Sequence, residues 1–282
     1  MNLRLAARRG LWPWLSLLLL MASSAPLRAS PLELSVGIVP QQSATELARV
    51  WIPLLQEAAS RSGVRLVFRT APDIPMFEER LKQGEYDLAY MNPYHYVVFS
   101  KSPGYRAFAR EKDRRLAGII VVAKDSPVTD IKQLAGKSVA FPAPAAFAAS
   151  ILPRAEFARL GVPIEARYVH SHDSVYLGVA QGLFAAGGGI KRTFEAIDPA
   201  VSARLRILST TPGYVPHAFA AHPRVAPETV DKVLVALASL GKDEAGRKTL
   251  APLSFKGIES AADHEWDEIR RLRIEQRVGS AQ

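Results

Sequence analysis

The chain runs twice through one order of elements, strand–helix–strand–helix–strand, and that order constrains its fold more than any single motif. In the first pass, residues 34–39 (Leu-Ser-Val-Gly-Ile-Val) read as a buried strand closed by Pro40. Ser43, with Glu46 three residues on, has the pattern of a capping box. Leu47, Val50, Trp51, Leu54, Leu55 and Ala58 then recur at helical spacing, which makes Trp51 a core residue rather than a ligand contact. Gly63 ends this helix, residues 64–68 make a second strand, and a second helix covers about residues 75–82. Residues 86–91 (Tyr-Asp-Leu-Ala-Tyr-Met) are the third strand, stopped by Asn92-Pro93. The second pass begins at Lys137 with strand 138–141 and a helix over 145–160 ended by Gly161. Strand 166–169, a helix capped by Asp173 and reaching Gln181, and strand 183–186 follow, the last running into Gly187, Gly188 and Gly189. Strands joined through helices are parallel and cross over right-handedly, so the expectation is an α/β protein of two similarly built lobes.

The remaining stretches say how the lobes connect. A polar region (101–115) precedes an Ile/Val-rich run (116–123), which Lys124-Asp125-Ser126-Pro127 breaks, and residues 130–134 read as a short helical turn closed by Gly136. After the second pass come a strand at 204–208, a breaker cluster at 210–216, a short strand at 217–221, and helices over about 227–240 and 262–277 that return to the first lobe. The chain thus crosses between lobes near residues 123–126 and again near 211–216. Two crossings make a hinge, and a hinge between two α/β lobes encloses a ligand cleft. The segments are a leader at 1–29, the first lobe at 30–123, the second at 124–212, and the first again at 213–282.

Arg4, Arg8 and Arg9, an apolar run over 11–21 and a small-residue stretch to Ala29 have the order of a secretory signal cut after Ala29, the alternative being an uncleaved N-terminal anchor. The leader holds four arginines and no acid, so the formal charge of +9 falls to +5 without it. That mild positive field favours an anionic ligand, and export argues against nucleic acid as a partner. There is no cysteine, which excludes disulfides, a thiol nucleophile and thiolate-bound metal.

Catalytic patterns are missing. Gly-x-Ser-x-Gly, the Walker phosphate loop and His-Glu-x-x-His do not occur, and Gly187–Gly189 lack the Lys-Ser/Thr that would make them a phosphate loop. His170-x-His172 has metal-capable spacing without a third ligand nearby. No nucleophile–base pair stands out, so neither an enzyme nor a cofactor or metal is expected.

Binding residues are easier to place, because ligands of open α/β sheets sit at the carboxyl ends of the strands. Those ends hold Gln41, Gln42 and Ser43, then Tyr90, Asn92, Tyr94 and His95, then Phe141, Ala146 and Phe147, and finally His172. Tyr94, His95 and Tyr96 are either a binding wall or buried aromatics after a plain turn. The helix expected from residue 145 points its N-terminus into the cleft, where free N–H groups and the helix dipole favour an anion. His172 adds a donor.

With these segments in hand, the chain resembles the type II periplasmic solute-binding proteins of phosphonate, phosphite and phosphate importers. The likeness is carried by Gln41-Gln42-Ser43, the Trp51-Ile-Pro-Leu-Leu helix, Gly84-x-Tyr86-Asp87-Leu88-Ala89-Tyr90, Val122-Ala-Lys-Asp-Ser-Pro127, Asp130-Ile-Lys-Gln-Leu-Ala-Gly-Lys137, and Ser171-His172 with Val179-Ala-Gln-Gly182. It implies the two-lobed type II fold, capture of a small oxyanion, and delivery by a monomer to the membrane permease of an ABC importer; a sensor of the same fold, reporting to a membrane receptor or histidine kinase, is the other role it allows. His172 matches the family's ligand-contacting histidine. Where the family places a Ser-Thr-Ser hydroxyl cluster, this chain has Ala146, Phe147 and Ala148, and Ala185 stands where an Asp is frequent. An aromatic cleft of that kind suits a flatter, more apolar or cationic ligand, the alternative being that Phe147 packs into its own lobe.

Overall fold

The computed structural model describes residues 32–274, so the expected leader and residues 275–277 of the expected last helix lie outside the described residues. Glu33–Ile38 forms β1 and Ala44–Ser62 forms α1. The Ser43 hydroxyl caps α1 by accepting from the Glu46 N–H, and Gly63 closes it in the left-handed region at φ +69°. Arg65–Arg69 (β2), Ile74–Lys82 (α2) and Leu88–Met91 (β3) complete the first pass, with β1 parallel to both β2 and β3.

From there the structure departs from the sequence reading. Asn92 ends β3 but also starts a helix: its side-chain oxygen accepts from the His95 N–H, and Pro93–Phe99 forms α3 with Pro at the position where its missing N–H costs nothing. Tyr94, His95 and Tyr96 therefore stand on a helix, not in a strand-exit loop. The stretch read as a polar connection contains a strand, Arg106–Glu111 (β4). Gly118–Ala123 (β5) lies in the second sheet, so the first crossing falls between Glu111 and Gly118 rather than at residues 123–126. An Ile/Val run suits a central strand of either sheet equally, which is why the sequence placed it in the wrong lobe.

The second lobe contains Ser138–Phe141 (β6), a π-turn at Phe147–Ile151 that continues as Leu152–Arg159 (α4), and Glu165–Tyr168 (β7). His172–Ala180 (α5), Ala186–Ile190 (β8), Lys191–Ala196 (α6), Pro199–Ser202 (α7) and Leu205–Thr210 (β9) follow. The sheet order is β7-β6-β8-β5-β9, with β6 parallel to β7 and β8 and with β5 antiparallel to β8 and β9. Ser171, not Asp173, caps α5, by accepting from the Ser174 N–H. The three glycines sit inside β8 rather than in a loop after it. A Cβ on Gly187 or Gly189 would overlap Val175 or Tyr176 of α5, and one on Gly188 would overlap the Ala149 carbonyl oxygen. Bare backbone lets a helix lie close against each face of the strand.

After the second crossing, Ala218–Ala221 (β10), Pro227–Ser239 (α8), Glu244–Leu250 (α9), Ile258–Ser260 (β11) and Asp267–Arg270 (α10) return to the first lobe. Its sheet order is β11-β4-β10-β3-β1-β2, with β10 antiparallel to β3 and β4. The expected long helix from residue 262 is, as far as described, a 3₁₀ turn (Asp263–Trp266) followed by α10. The two crossings touch at a bridge between Leu116 and Tyr214. The main core surrounds Trp51, whose ring centroid lies 4.6 Å from that of Tyr90 and about 6 Å from those of Phe219 and Phe255. That same core takes in Ala146–Ala149 and Ile190 of the second lobe, whereas the second sheet has a smaller core on each face. Among the described residues no helix is long and apolar enough to cross a membrane.

Candidate ligand site between the two sheets

The carboxyl ends of β1, β3 and β8 and the start of β10 converge on the first turn of the helix that begins at Phe147. They enclose a cavity of about 10 Å³, lined by Val39, Gln41, Ile74, Asn92, Ala146, Phe147, Ala148, Ala149, His172, Ile190 and His217. That is room on the order of one water molecule. The helix runs unbroken from Phe147 to Arg159, because Ile151 and Leu152 both keep right-handed helical angles. Its first-turn N–H groups have no acceptor within the helix, and Phe147, Ala148 and Ala149 are all buried at the cavity. Among the described residues no side chain caps this terminus. Buried donors at the positive end of a helix dipole make a place for an anion.

Histidines frame the opposite wall. His172 Nδ1 stands 3.0 Å from the Thr193 hydroxyl, which is 2.8 Å from that of Tyr176 and 3.1 Å from the Ile190 carbonyl oxygen, and Tyr176 donates to that oxygen at 3.0 Å, leaving the Thr193 proton for Nδ1. With Nδ1 held there, Nε2 is the ring atom left for a ligand. Burial, reinforced by the nearby Arg192 charge, lowers the His172 pKa to about 3, so the ring is neutral at physiological pH. His217 is stacked on Tyr90 at 4.9 Å and held well below the usual histidine value by the same two causes in the same order. Its Nε2 lies 3.2 Å from the Gln41 amide.

Contacts between the lobes close the site. The Asn92 amide donates to the Ala145 carbonyl at 3.0 Å, and the His172 N–H donates to the Gln41 carbonyl at 3.3 Å. Arg192, from α6, donates to Gln41 Oε1 at 2.8 Å and to the Tyr90 hydroxyl at 3.3 Å. At the rim, His170 Nδ1 is 3.9 Å from Asp73 Oδ2.

Of the residues singled out in the sequence, Gln41, Asn92, Ala146, Phe147 and His172 meet at the cavity. Tyr90 lies directly behind it, stacked on His217. Phe147 belongs to the core shared by both lobes and meets Tyr214 edge-on at 5.8 Å. The others are elsewhere. Gln42 and Ser43 are in the loop before α1, and Ser43 is committed to its cap. Phe141 is in a core of the second sheet, near Tyr168. Tyr94 is on the far side of α3, facing Ile269 and Ile274 across a surface depression. His95 is buried behind Asn92, between Phe77 and Phe99, with burial holding its pKa at about 3. Sequence reasoning missed Ile74, Ile190, Arg192, Thr193 and His217. Extending β8 through the glycines to Ile190 would have put Arg192 and Thr193 at a strand exit by the rule already used for the others. His217 precedes an antiparallel strand, and nothing in the local sequence distinguishes that from a parallel one.

A family model for the periplasmic substrate-binding protein of phosphonate ABC transporters matches residues 36–266. The chain belongs to that family. Among curated relatives, the phosphate-import protein PhnD of Mycolicibacterium smegmatis is 21% identical over 235 residues, covering 72% of this chain and 70% of that one. Among solved structures, a binding-protein component of a phosphonate ABC transporter from Pseudomonas aeruginosa superposes with a TM-score of 0.81, at 17% identity over 89% of each chain. PhnD1 of Prochlorococcus marinus, solved in complex with methylphosphonate, superposes with a TM-score of 0.80, at 18% identity over 89% of this chain and 99% of that one. At these identities the structures establish the fold: two α/β lobes of the periplasmic-binding-protein type. Family members are periplasmic substrate-binding components of ABC transporters.

Proposed function

We propose that this protein is exported, with its leader removed near Ala29, and captures a small phosphorus oxyanion between its lobes as a monomer for the permease of an ABC importer. The observation that carries the reading is the uncapped, buried start of the helix at Phe147, which offers backbone N–H groups to a cavity whose other polar members are Gln41, Asn92, His172 and His217. The side-chain hydroxyls at Ala146, Phe147 and Ala148 are absent, but main-chain donors do not depend on side-chain identity. Each hydrogen bond to a charged ligand contributes roughly 1.5–3 kcal/mol. Val39, Ile74 and Ile190 supply an apolar side to the same cavity. A relative named for phosphate import and a structural neighbour holding methylphosphonate bracket the ligands such a site suits: an oxyanion head with at most a small apolar substituent. With room for about one water in this closed form, the lobes must part or Phe147 must turn for such a ligand to enter.

The test is a thermal-shift screen of the mature chain against phosphate, phosphite, methylphosphonate and sulfate. A true ligand at a hundred times its dissociation constant adds about 2.7 kcal/mol of stability, a shift of several degrees. A shift with one or more phosphorus oxyanions and none with sulfate is expected. No shift with any of them would overturn the reading.

A further inference from the structure

We propose that Arg192 makes this site selective against ligands that carry an ammonium group, because its own guanidinium fills the cation position beside the cleft. The inference rests on the phosphorus-oxyanion reading above. α6 belongs to the second lobe, yet the Arg192 side chain, 14% exposed, reaches into the first. There it donates to Gln41 Oε1 and to the Tyr90 hydroxyl, stands 3.9 Å from Glu111 Oε2, and lies over the Phe255 ring with Cζ 5.5 Å from its centre. A carboxylate, two oxygen acceptors and an aromatic face are the set that holds an organic cation. Glu111 is 4% exposed, and a carboxylate buried that deeply requires a positive partner. Among the described residues, Arg114, at 3.9 Å on its other oxygen, is the one further cation paired with it.

Gln41 joins this cradle to the cavity. Its side-chain oxygen takes Arg192 while its amide reaches His217, and both Gln41 and His217 line the space where the ligand would sit. A phosphonate held by the helix start and bearing an amine on a two-carbon arm would direct that amine either at the apolar Val39, Ile74 and Ile190, or at Gln41, His172 and His217, all of which feel the Arg192 guanidinium, Asn92 being taken by the Ala145 carbonyl and the His95 N–H. The first leaves an ammonium without partners, and the second sets like charges together. A methyl substituent meets neither obstacle.

Calorimetric titration of the mature protein with methylphosphonate and with 2-aminoethylphosphonate tests this directly. The wild type should bind the aminoethyl compound at least about tenfold more weakly, equivalent to ~1.4 kcal/mol. In Arg192→Ala, the ratio of the two dissociation constants should move at least about tenfold toward the amine, as Glu111, Gln41 and Tyr90 become available to it. The double variant Arg192→Ala/Glu111→Gln should lose that gain. Arg192→Met, which keeps an apolar stem over Phe255, carries the comparison if the alanine variant does not fold by circular dichroism. Equal affinity of the wild type for the two compounds, or an unchanged ratio in a folded Arg192 variant, would overturn the inference alone. Binding of neither compound by the wild type would overturn the oxyanion reading and this inference with it.

Discussion

His172 shows how a side chain can be both structural and ligand-facing. It is 2% exposed, one ring nitrogen is taken by Thr193, and Thr193 is itself held by Tyr176 and the Ile190 carbonyl. His172→Ala should weaken ligand binding roughly 10- to 100-fold, the worth of one hydrogen bond to a charged ligand. Thr193→Val keeps the imidazole but frees its orientation, so it should weaken binding less while lowering unliganded stability by about 1 kcal/mol for the lost buried bond. Calorimetry with the tightest-binding oxyanion and melts of both variants separate the roles; equal binding loss in the two would mean orientation is everything. Titration makes a second residue-level contrast. His95, His172 and His217 are buried neutral with folded pKa values below the ~6.5 of a free histidine, so their contribution is complete above about pH 6.5 and is lost on acidification, toward about pH 3 for His95 and His172. Glu78 runs the other way. Burial raises its pKa to about 7, so its contribution is complete below the unfolded carboxylate value of ~4.3 and is lost as pH rises through about 7. The melting temperature should therefore drop steeply on acidification from pH 6.5. Glu78→Gln should raise it more at pH 8 than at pH 5, and an equal effect at both would place the carboxyl's titration outside that window.

Among the elements, β8 is the one on which the site depends without contributing a polar side chain. Its glycines let α5 and the helix at Phe147 approach from opposite faces, and this sets where the helix start and His172 lie relative to each other. Gly188→Ala places a methyl group against the Ala149 carbonyl oxygen, which is backbone and cannot rotate away. Overpacking of this kind costs about 1–3 kcal/mol or more, and here it also pushes on the turn that presents the N–H groups. We expect Gly188→Ala to lower the unfolding free energy in urea by at least that range and to weaken oxyanion binding as well. Gly136→Ala, at φ +69° with open space around it, should cost stability without affecting the site. Comparable binding loss in both would mean general destabilisation explains the first.

For the molecule as a whole, the C-terminal α10 reaches the hinge. Glu268 accepts from the Val215 N–H at 2.6 Å on one crossing and from Arg115 at 2.9 Å on the other, and Arg115 also donates to the Gly213 carbonyl at 2.8 Å. One carboxylate thus ties both hinge strands next to their Leu116–Tyr214 bridge. Glu268→Ala should loosen the hinge, increasing the unliganded radius of gyration in small-angle scattering while saturating ligand restores the wild-type value. An unchanged radius in the absence of ligand would show that the contacts around Arg192 and Asn92, not the hinge, set the closed form.

Much of this was readable along the chain, because it depends on short-range chemistry. The apolar stripe of α1, the cap at Ser43, the short helical turn before Gly136, the strand before Asn92 and the helix stops at Gly63 and Gly161 are all local patterns of side-chain size and backbone freedom. Taken in order they yield an α/β chain of two lobes with a cleft, and Gln41, Asn92 and His172 at strand ends within it. Long-range pairing was not readable. Whether the Ile/Val run of β5 joins the first sheet or the second, whether β10 runs antiparallel, and whether three glycines are a loop or a strand interior each depend on what packs against them from elsewhere. The same holds for Arg192 and His217, whose partners Gln41 and Tyr90 are more than a hundred residues away in sequence: His217 meets them because β10 pairs with β3 in the first sheet, and Arg192 only because the lobes close. Burial then decides the charge states of the histidines, since an imidazole's protonation follows its solvent and neighbours rather than its place in the chain.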